Sequence, residues 1–229
     1  MIRNLKILGL SLLAVFAMSA MVASAALAGE LTSDGKVKLS ATENPVVLTA
    51  IAGQKIECHA VYTIGKVGVT PHPEFMTLPA STFTVSPDYS ACVSVIGELK
   101  APGTITMNGC DFVWHIGAKI ETGKYGFTVD IVCEAGKEIE NHGYSSAAHS
   151  STVCTYKIPA QTGLTGGTVK NVSGGKIELG GPINGLKETR TGILCGGNAE
   201  TKEGRWDIGA VISGTNEAGA ATSIEVTGS

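Results

Sequence analysis

Apolar and polar residues alternate with a period of two along most of the chain after residue 28, which is typical of β-strands that bury one face. The clearest stretch is Gly103 to Ile116, where Asn108-Gly109 supplies the two positive-φ residues of a type I′ turn. A two-residue hairpin there pairs Met107 with Cys110 and Ile105 with Phe112. It places six apolar side chains on one face: Ile105, Met107, Cys110, Phe112, Trp114 and Ile116.

The same alternation predicts strands along the rest of the chain, with Cys58, Cys133 and Cys154 on inward faces. The face of Cys92 is ambiguous, because Val93 and Val95 oppose it. Two stretches break the pattern: the proline-bearing Thr70 to Pro79, which is predicted as a loop or an edge strand, and the polar Glu134 to Val153. The main predicted strands are Val37–Ser40, Val46–Ile51, Lys55–Thr63, Thr82–Ser86, Tyr89–Ile96, Lys124–Cys133, Thr152–Ile158, Thr168–Val172, Lys176–Leu179, Ile183–Lys187, Thr189–Cys195, Arg205–Ser213 and Thr222–Thr227.

Many short strands with frequent turn signals, and no helical periodicity after residue 28, predict an all-β fold. We expect a disulfide-stabilised antiparallel β-sandwich of immunoglobulin-like architecture. The Cys, Trp, Cys spacing of immunoglobulin domains is absent, so the likeness concerns architecture only. Pro159 to Gly167 is the best candidate for an internal boundary. It separates a β-sandwich domain, residues 29–160, from a β-rich portion, residues 161–229, that belongs to the same domain or forms a second sub-sandwich.

Residues 1–28 have the pattern of a secretion signal. Arg3 and Lys6 form a short basic start, an apolar run follows, and two A-x-A cleavage patterns end at Ala25 and Ala28. The alternative is an uncleaved membrane anchor, because the apolar run is nearly long enough to span a bilayer. Cleavage predicts a secreted or cell-surface protein without a membrane span.

Charge weighs against a nucleic-acid partner. Loss of Arg3 and Lys6 with the signal changes the formal charge from −3 to −5. The chain has no Lys/Arg cluster with interleaved aromatic residues, so the sequence shows no phosphate-binding surface.

Six cysteines remain after signal cleavage, and an even number in an exported chain predicts three disulfides. A metal site is the alternative, but the chain has no C-x-x-C and no paired close spacing. A bridge from Cys133 to Cys154 would close the base of the polar excursion between them. The other four cysteines would then pair as Cys58 with Cys92 and Cys110 with Cys195.

The sequence offers few candidates for catalysis. His59 and His115 are predicted on outward strand faces near Glu57 and Asp111, where each could act as a base beside a carboxylate; solvated sheet faces carry such polar residues in any case. Three further histidines, His72, His142 and His149, are predicted in loops and could bind zinc or copper only if the fold brought them together.

No known catalytic or nucleotide-binding motif is present: the chain has no G-x-S-x-G element, phosphate-binding loop or G-x-G-x-x-G. We therefore predict no catalytic, metal or cofactor residues, and the six cysteines are the residues singled out.

Several segments resemble a group of exported bacterial proteins that are six-cysteine, Thr/Gly-rich and all-β and have no assigned function. The likeness rests on Ile56-Glu57-Cys58, Thr84-Val-Ser-Pro-Asp-Tyr-Ser-Ala-Cys92, Met107-Asn-Gly-Cys-Asp-Phe112, Asp130-Ile-Val-Cys-Glu-Ala-Gly-Lys137 and Cys154 to Gly163. The resemblance implies an exported, disulfide-bonded β protein and transfers no activity or site.

Three functions follow as expectations. The first is non-catalytic binding of an extracellular glycan, peptide or cell-wall component through loops. The second is a secreted hydrolase that uses His115 or His59 with a nearby carboxylate. The third is a structural or adhesive subunit that assembles through sheet edges.

Overall fold

The computed structural model describes residues 28–43, 46–49, 55–65, 75–96, 98–145, 151–195 and 197–228. Within these residues the chain forms antiparallel strands and one 3-10 turn, Ile193–Cys195, and no helix is long and apolar enough to cross a membrane. The strands are β1 (Glu30–Ser33), β2 (Lys36–Glu43), β3 (Val46–Thr49), β4 (Lys55–Gly65), β5 (Met76–Thr77), β6 (Thr82–Ile96), β7 (Leu99–Thr106), β8 (Cys110–Glu121), β9 (Lys124–Cys133), β10 (Ile139–Tyr144), β11 (Thr152–Ile158), β12 (Gln161–Val172), β13 (Lys176–Thr191), β14 (Ala199–Thr215), β15 (Ala221–Thr222) and β16 (Ile224–Thr227).

The predicted antiparallel all-β fold is confirmed. One large sheet has the order β11-β10-β7-β6-β8-β9-β12-β13-β14-β3-β4-β2-β5, β15 pairs with β14, and β1 and β16 form a separate two-stranded sheet. β4 also pairs with β6, β11 with β13 and β14 with β2, so the hydrogen-bonded pairings close on themselves three times. This order does not establish the immunoglobulin-like arrangement, which stays a prediction.

The core lies between facing parts of this sheet. Phe112 on β8 packs edge-on against Trp206 on β14, with 5.0 Å between ring centroids, although β8 and β14 are not neighbours in the sheet. Trp114 on β8 packs on Phe127 of the neighbouring strand β9, with 4.4 Å between ring centroids. These side chains are at most 6% exposed, so the arrangement is sandwich-like around one apolar core.

The chain crosses the predicted internal boundary without leaving the sheet. Residues 159 and 160 join β11 to β12, and β12 and β13 then pair with β9 and β11 from the first portion. β14 likewise pairs with β2 and β3.

The Asn108-Gly109 turn is present, but the hairpin pairing predicted around it is wrong. Both residues have positive φ, 49° and 77°, and the N–H of Cys110 donates to the carbonyl of Met107 at 2.8 Å. The strands then separate: β7 pairs with β6 and β10, whereas β8 pairs with β6 and β9. Five of the six side chains on the predicted inward face are still buried and Met107 is half-buried, because alternation fixes which side of a strand meets the core but not which strand lies beside it.

All six cysteines form disulfides, and one predicted pair, Cys58–Cys92, is confirmed. A β-bulge settles the ambiguous face of Cys92. Glu57 pairs with Val93 and His59 with Ser90, so Ala91 and Cys92 together oppose Cys58, and Ala91 has a φ of 49°. The extra residue turns Cys92 inward, where it is 9% exposed.

The pairs Cys133–Cys154 and Cys110–Cys195 are wrong: the structure has Cys110–Cys133 and Cys154–Cys195. Cys110 and Cys133 oppose each other in the β8–β9 ladder. The stretch between Cys133 and Cys154 is not simply a loop, because β10 forms within it and pairs with β7 and β11.

Candidate functional site

A concave surface of the described residues is the groove where β12 separates from β13, next to the end of β9. We call it the β12 groove. Its volume is about 770 Å³, within the range of ligand-binding clefts. It is lined by Ile131, Val132, Cys133, Ala160, Gln161, Thr162, Gly163, Leu164, Thr165, Asn184, Gly185 and Lys187.

Irregularities in both strands create the groove. β12 pairs with β9 at Gln161 and Leu164, and the two residues between them bulge out of the ladder. On the opposite wall the β13–β14 register shifts at Gly185. Gly163 and Gly185 have φ values of 72° and 79°, a region in which other residues are strained, so glycine permits the bend on each wall.

Gln161 bridges the gap between the separated strands. Gln161 is 8% exposed, and its side-chain amide bonds the backbone of Lys187 as a paired strand would. Oε1 accepts from the N–H of Lys187 at 2.9 Å, while Nε2 donates to the carbonyls of Lys187 at 3.1 Å and Pro159 at 3.2 Å. This part of the groove is therefore held by hydrogen bonds made inside the protein.

A polar chain of side chains adjoins one rim of the groove. The amide of Gly163 donates to Asp130 Oδ1 at 2.7 Å, and His115 Nε2 lies 3.0 Å from Asp130 Oδ2. On the other side of the imidazole, Nδ1 lies 3.4 Å from the hydroxyl of Thr82. The His115 and Asp130 side chains are 39% and 24% exposed.

The carboxylate expected beside His115 is therefore a different one. Asp111, which the sequence placed near it, instead accepts a hydrogen bond from Ser86 at 2.5 Å. Asp111 and His115 are four residues apart on β8, so their side chains are well separated along the strand. Asp130 lies on β9, which pairs directly with β8.

A second polar cluster covers the outer face of β10 and β11. Lys157 Nζ contacts Glu138 and Glu140 at 2.7 and 2.9 Å, and His142 lies 3.4 Å from Glu140 and 3.2 Å from the Thr155 hydroxyl. The hydrogen bond from Lys157 lowers the pKa of Glu140, and the hydrogen bond to Glu138 raises the pKa of Lys157 to about 12. These groups satisfy one another across a sheet face.

The remaining histidines do not form a metal site in the part of the chain that the structure describes. His142 is on strand β10, so its predicted loop position is wrong. His59 is exposed on β4 beside Glu57, on the outward face as predicted. His72 and His149 lie outside the described residues, within which no group of three or more His, Cys, Asp or Glu is placed to hold a metal ion.

Charged and polar groups also lie inside the fold between β10, β11 and β13. Glu188 and Asn141 are 1% and 0% exposed. Burial raises the pKa of Tyr156, the charge of Glu188 raises it further, and Arg190 opposes both effects. The Glu188 and Arg190 charges thus share one interior region with Tyr156.

Comparison with protein-family models, curated proteins and solved structures finds no match to this chain.

Apart from Cys133, the groove residues were not among the residues singled out from the sequence. Gln161 and Gly163 lie within Pro159 to Gly167, which was interpreted as a boundary because of its Pro and Gly content. Closely spaced glycines within a predicted strand also indicate bulges, and that signal could have located the groove.

Proposed function

We propose that this chain is an exported, non-catalytic binding protein that holds a glycan, peptide or cell-wall component in the β12 groove. The observation that supports the proposal is the groove itself: a concave surface on the sheet, with apolar and polar groups arranged separately.

The lining suits a polar chain with some apolar surface. Ile131 and Leu164 are buried at 1% and 6% exposure and form an apolar floor. Hydroxyl, amide and ammonium groups of Thr162, Asn184 and Lys187 are exposed along the rim. An apolar base with a few placed polar groups is the usual composition of a ligand site.

The disulfides and the N-terminal sequence support the proposal that the protein is exported. Three disulfides are typical of an oxidising, extracellular environment. The signal-like residues 1–28 and the resemblance to exported bacterial proteins agree with secretion and lead us to place the protein outside the cell or on its surface.

A groove-filling substitution tests the proposal. Val132 is 50% exposed and lines the groove, whereas Val61 is 59% exposed on β4 away from it, so Val132→Trp and Val61→Trp add the same bulk at matched sites. Immobilised wild-type protein is incubated with purified wall polysaccharides and with secreted proteins. We expect the ligand captured by wild type to be lost in Val132→Trp and kept in Val61→Trp. Equal capture by both variants, or no capture across broad conditions, contradicts the proposal.

A second candidate function is hydrolysis, and one observation favours it. The imidazole of His115 contacts the hydroxyl of Thr82 on one side and the carboxylate of Asp130 on the other. A hydrolase uses such a set as nucleophile, general base and the acid that orients the base. The 3.4 Å separation of Thr82 and His115 is long for such a hydrogen bond. Hydrolysis of 4-nitrophenyl acetate that is lost in both Thr82→Val and His115→Ala supports this function, and hydrolysis unaffected by Thr82→Val excludes it.

Assembly through sheet edges has less support. Apart from β5 and β15, each described strand of the large sheet pairs with at least two others, so few of these strands are edge strands along their whole length.

A further inference from the structure

The three disulfides differ in their access to solvent. Cys133 is half-buried and belongs to the lining of the β12 groove. Its partner Cys110 is 2% exposed. The other two disulfides are enclosed on both sides, with exposures of 2% and 9% for Cys58 and Cys92 and of 1% and 0% for Cys154 and Cys195. Cys133 is therefore the most exposed residue of the three disulfides.

The position of this disulfide at the end of a ladder adds to its access. Cys110 and Cys133 form the last pair of β8 and β9, and eight further residue pairs join the two strands beyond it. Cys110 directly follows the Asn108-Gly109 turn, and Cys133 directly precedes another turn, where Glu134 N donates to the Gly109 carbonyl at 3.1 Å. Opening the disulfide therefore disturbs the strand ends and leaves the remaining ladder paired.

We propose that Cys110–Cys133 is a thiol-exchange site, at which a low-molecular-weight thiol or an exposed dithiol of a partner protein attacks Cys133. The attacking thiolate forms a bond to the Cys133 sulfur, the Cys110–Cys133 bond breaks, and Cys110 leaves as a thiolate that takes a proton from water. A second thiolate then attacks the sulfur of the first thiol in this mixed disulfide, the bond to Cys133 breaks, and the Cys133 thiolate takes a proton from water while the two thiols leave as one disulfide. The protein gains two electrons and two protons, and two thiols are oxidised.

The reaction has a structural consequence at the groove. Val132 and Cys133 lie on one wall of the groove, and reduction removes the covalent link between the end of that wall and β8. If the proposed binding function is correct, ligand affinity then depends on the redox state of this pair. The exchange itself requires no ligand, so the two proposals fail separately.

A neighbouring carboxylate, that of Glu134, should make the rate of exchange depend on the charge of the thiol. A side-chain atom at Gly109 would lie 2.9 Å from the carboxyl carbon of Glu134, so this exposed carboxylate sits beside the residue that precedes Cys110. Its negative charge repels the glutathione thiolate, which carries carboxylates as well, more than the singly charged thiolate of 2-mercaptoethanol. Glu134→Gln should therefore accelerate exchange with reduced glutathione by several-fold, and exchange with 2-mercaptoethanol by much less.

Differential alkylation tests the proposal on the folded wild-type protein. The protein is exposed to millimolar glutathione for increasing times, quenched in acid, labelled with N-ethylmaleimide and mapped by peptide mass spectrometry. We expect a glutathione adduct on Cys133 and labelling of Cys110 at least tenfold faster than any labelling of the other four cysteines. Earlier or equal opening of Cys58–Cys92 or Cys154–Cys195, or an adduct mainly on Cys110, overturns it.

The double variant Cys110→Ala/Cys133→Ala provides the matched control. It should show no labelling over the interval in which the wild type is labelled. If that variant unfolds, the order of labelling in the wild type and the thiol selectivity of Glu134→Gln still decide the outcome.

Discussion

The amide of Gln161 is the polar group on which the shape of the β12 groove depends most directly. Substitution by Met keeps a side chain of similar length and apolar stem but removes three hydrogen bonds, two to Lys187 and one to Pro159. At roughly 1 kcal/mol net for each bond, Gln161→Met should lower the free energy of unfolding by about 3 kcal/mol. The neighbouring exposed residue Thr162 gives the control, since Thr162→Ala should change stability by less than about 0.5 kcal/mol.

Two measurements check this prediction. Urea unfolding followed by circular dichroism gives the change in stability, and amide hydrogen exchange reports on the Lys187 N–H, which donates to Gln161 Oε1. That amide should lose its protection in Gln161→Met and keep it in Thr162→Ala. If Lys187 stays protected in the Met variant, another group closes the gap between β12 and β13, and the account of the groove floor is wrong.

Two further predictions concern packing and pH. Gly167→Ala should destabilise the fold by about 3 kcal/mol, because an added methyl group would overlap the ring of buried Phe127. Gly180→Ala is the control and should be near neutral, because the nearest atom to its added methyl group lies 3.9 Å away. Equal unfolding midpoints for the two variants would contradict this prediction. Lys157→Met should weaken the dependence of stability on acid pH. The hydrogen bond from Lys157 lowers the pKa of Glu140, so it stabilises the fold at pH values above the ordinary pKa of 4.5, and this stabilisation is lost as the pH falls through the lowered pKa. Thermal unfolding between pH 3 and 6 measures it, and identical curves for variant and wild type would refute the coupling.

Burial along each strand was predictable because the period of two is a local property. Phe112, Trp114, Phe127 and Tyr156 all face the core, as their alternation with polar neighbours indicates. The Asn108-Gly109 turn was predictable for the same reason, since its backbone angles depend on those two residues.

Pairing between strands could not be predicted in the same way. After the turn, β7 and β8 join different neighbours, and Cys133 bonds to Cys110 instead of Cys154. These choices depend on long-range packing: the polar stretch after Cys133 contributes a strand, β10, which occupies the space beside β7. Local alternation contains no information about such partners.

The candidate site was the hardest part to predict, because it arises from departures from regular structure. His115 pairs with Asp130 across a ladder, and the groove opens where β12 and β13 bulge at Gly163 and Gly185. The bulges depend on how far two neighbouring strands diverge, which the glycines permit but do not by themselves specify.

A footprint of amide hydrogen exchange shows whether a ligand binds in the β12 groove. Wild-type protein is measured with and without a wall polysaccharide or secreted protein that it captures. We predict slower exchange in residues 131–133, 160–165 and 184–187, with β4 and the outer face of β10 unchanged. Slower exchange confined to β4, β10 or β11, with the groove segments unchanged, would contradict binding in the groove.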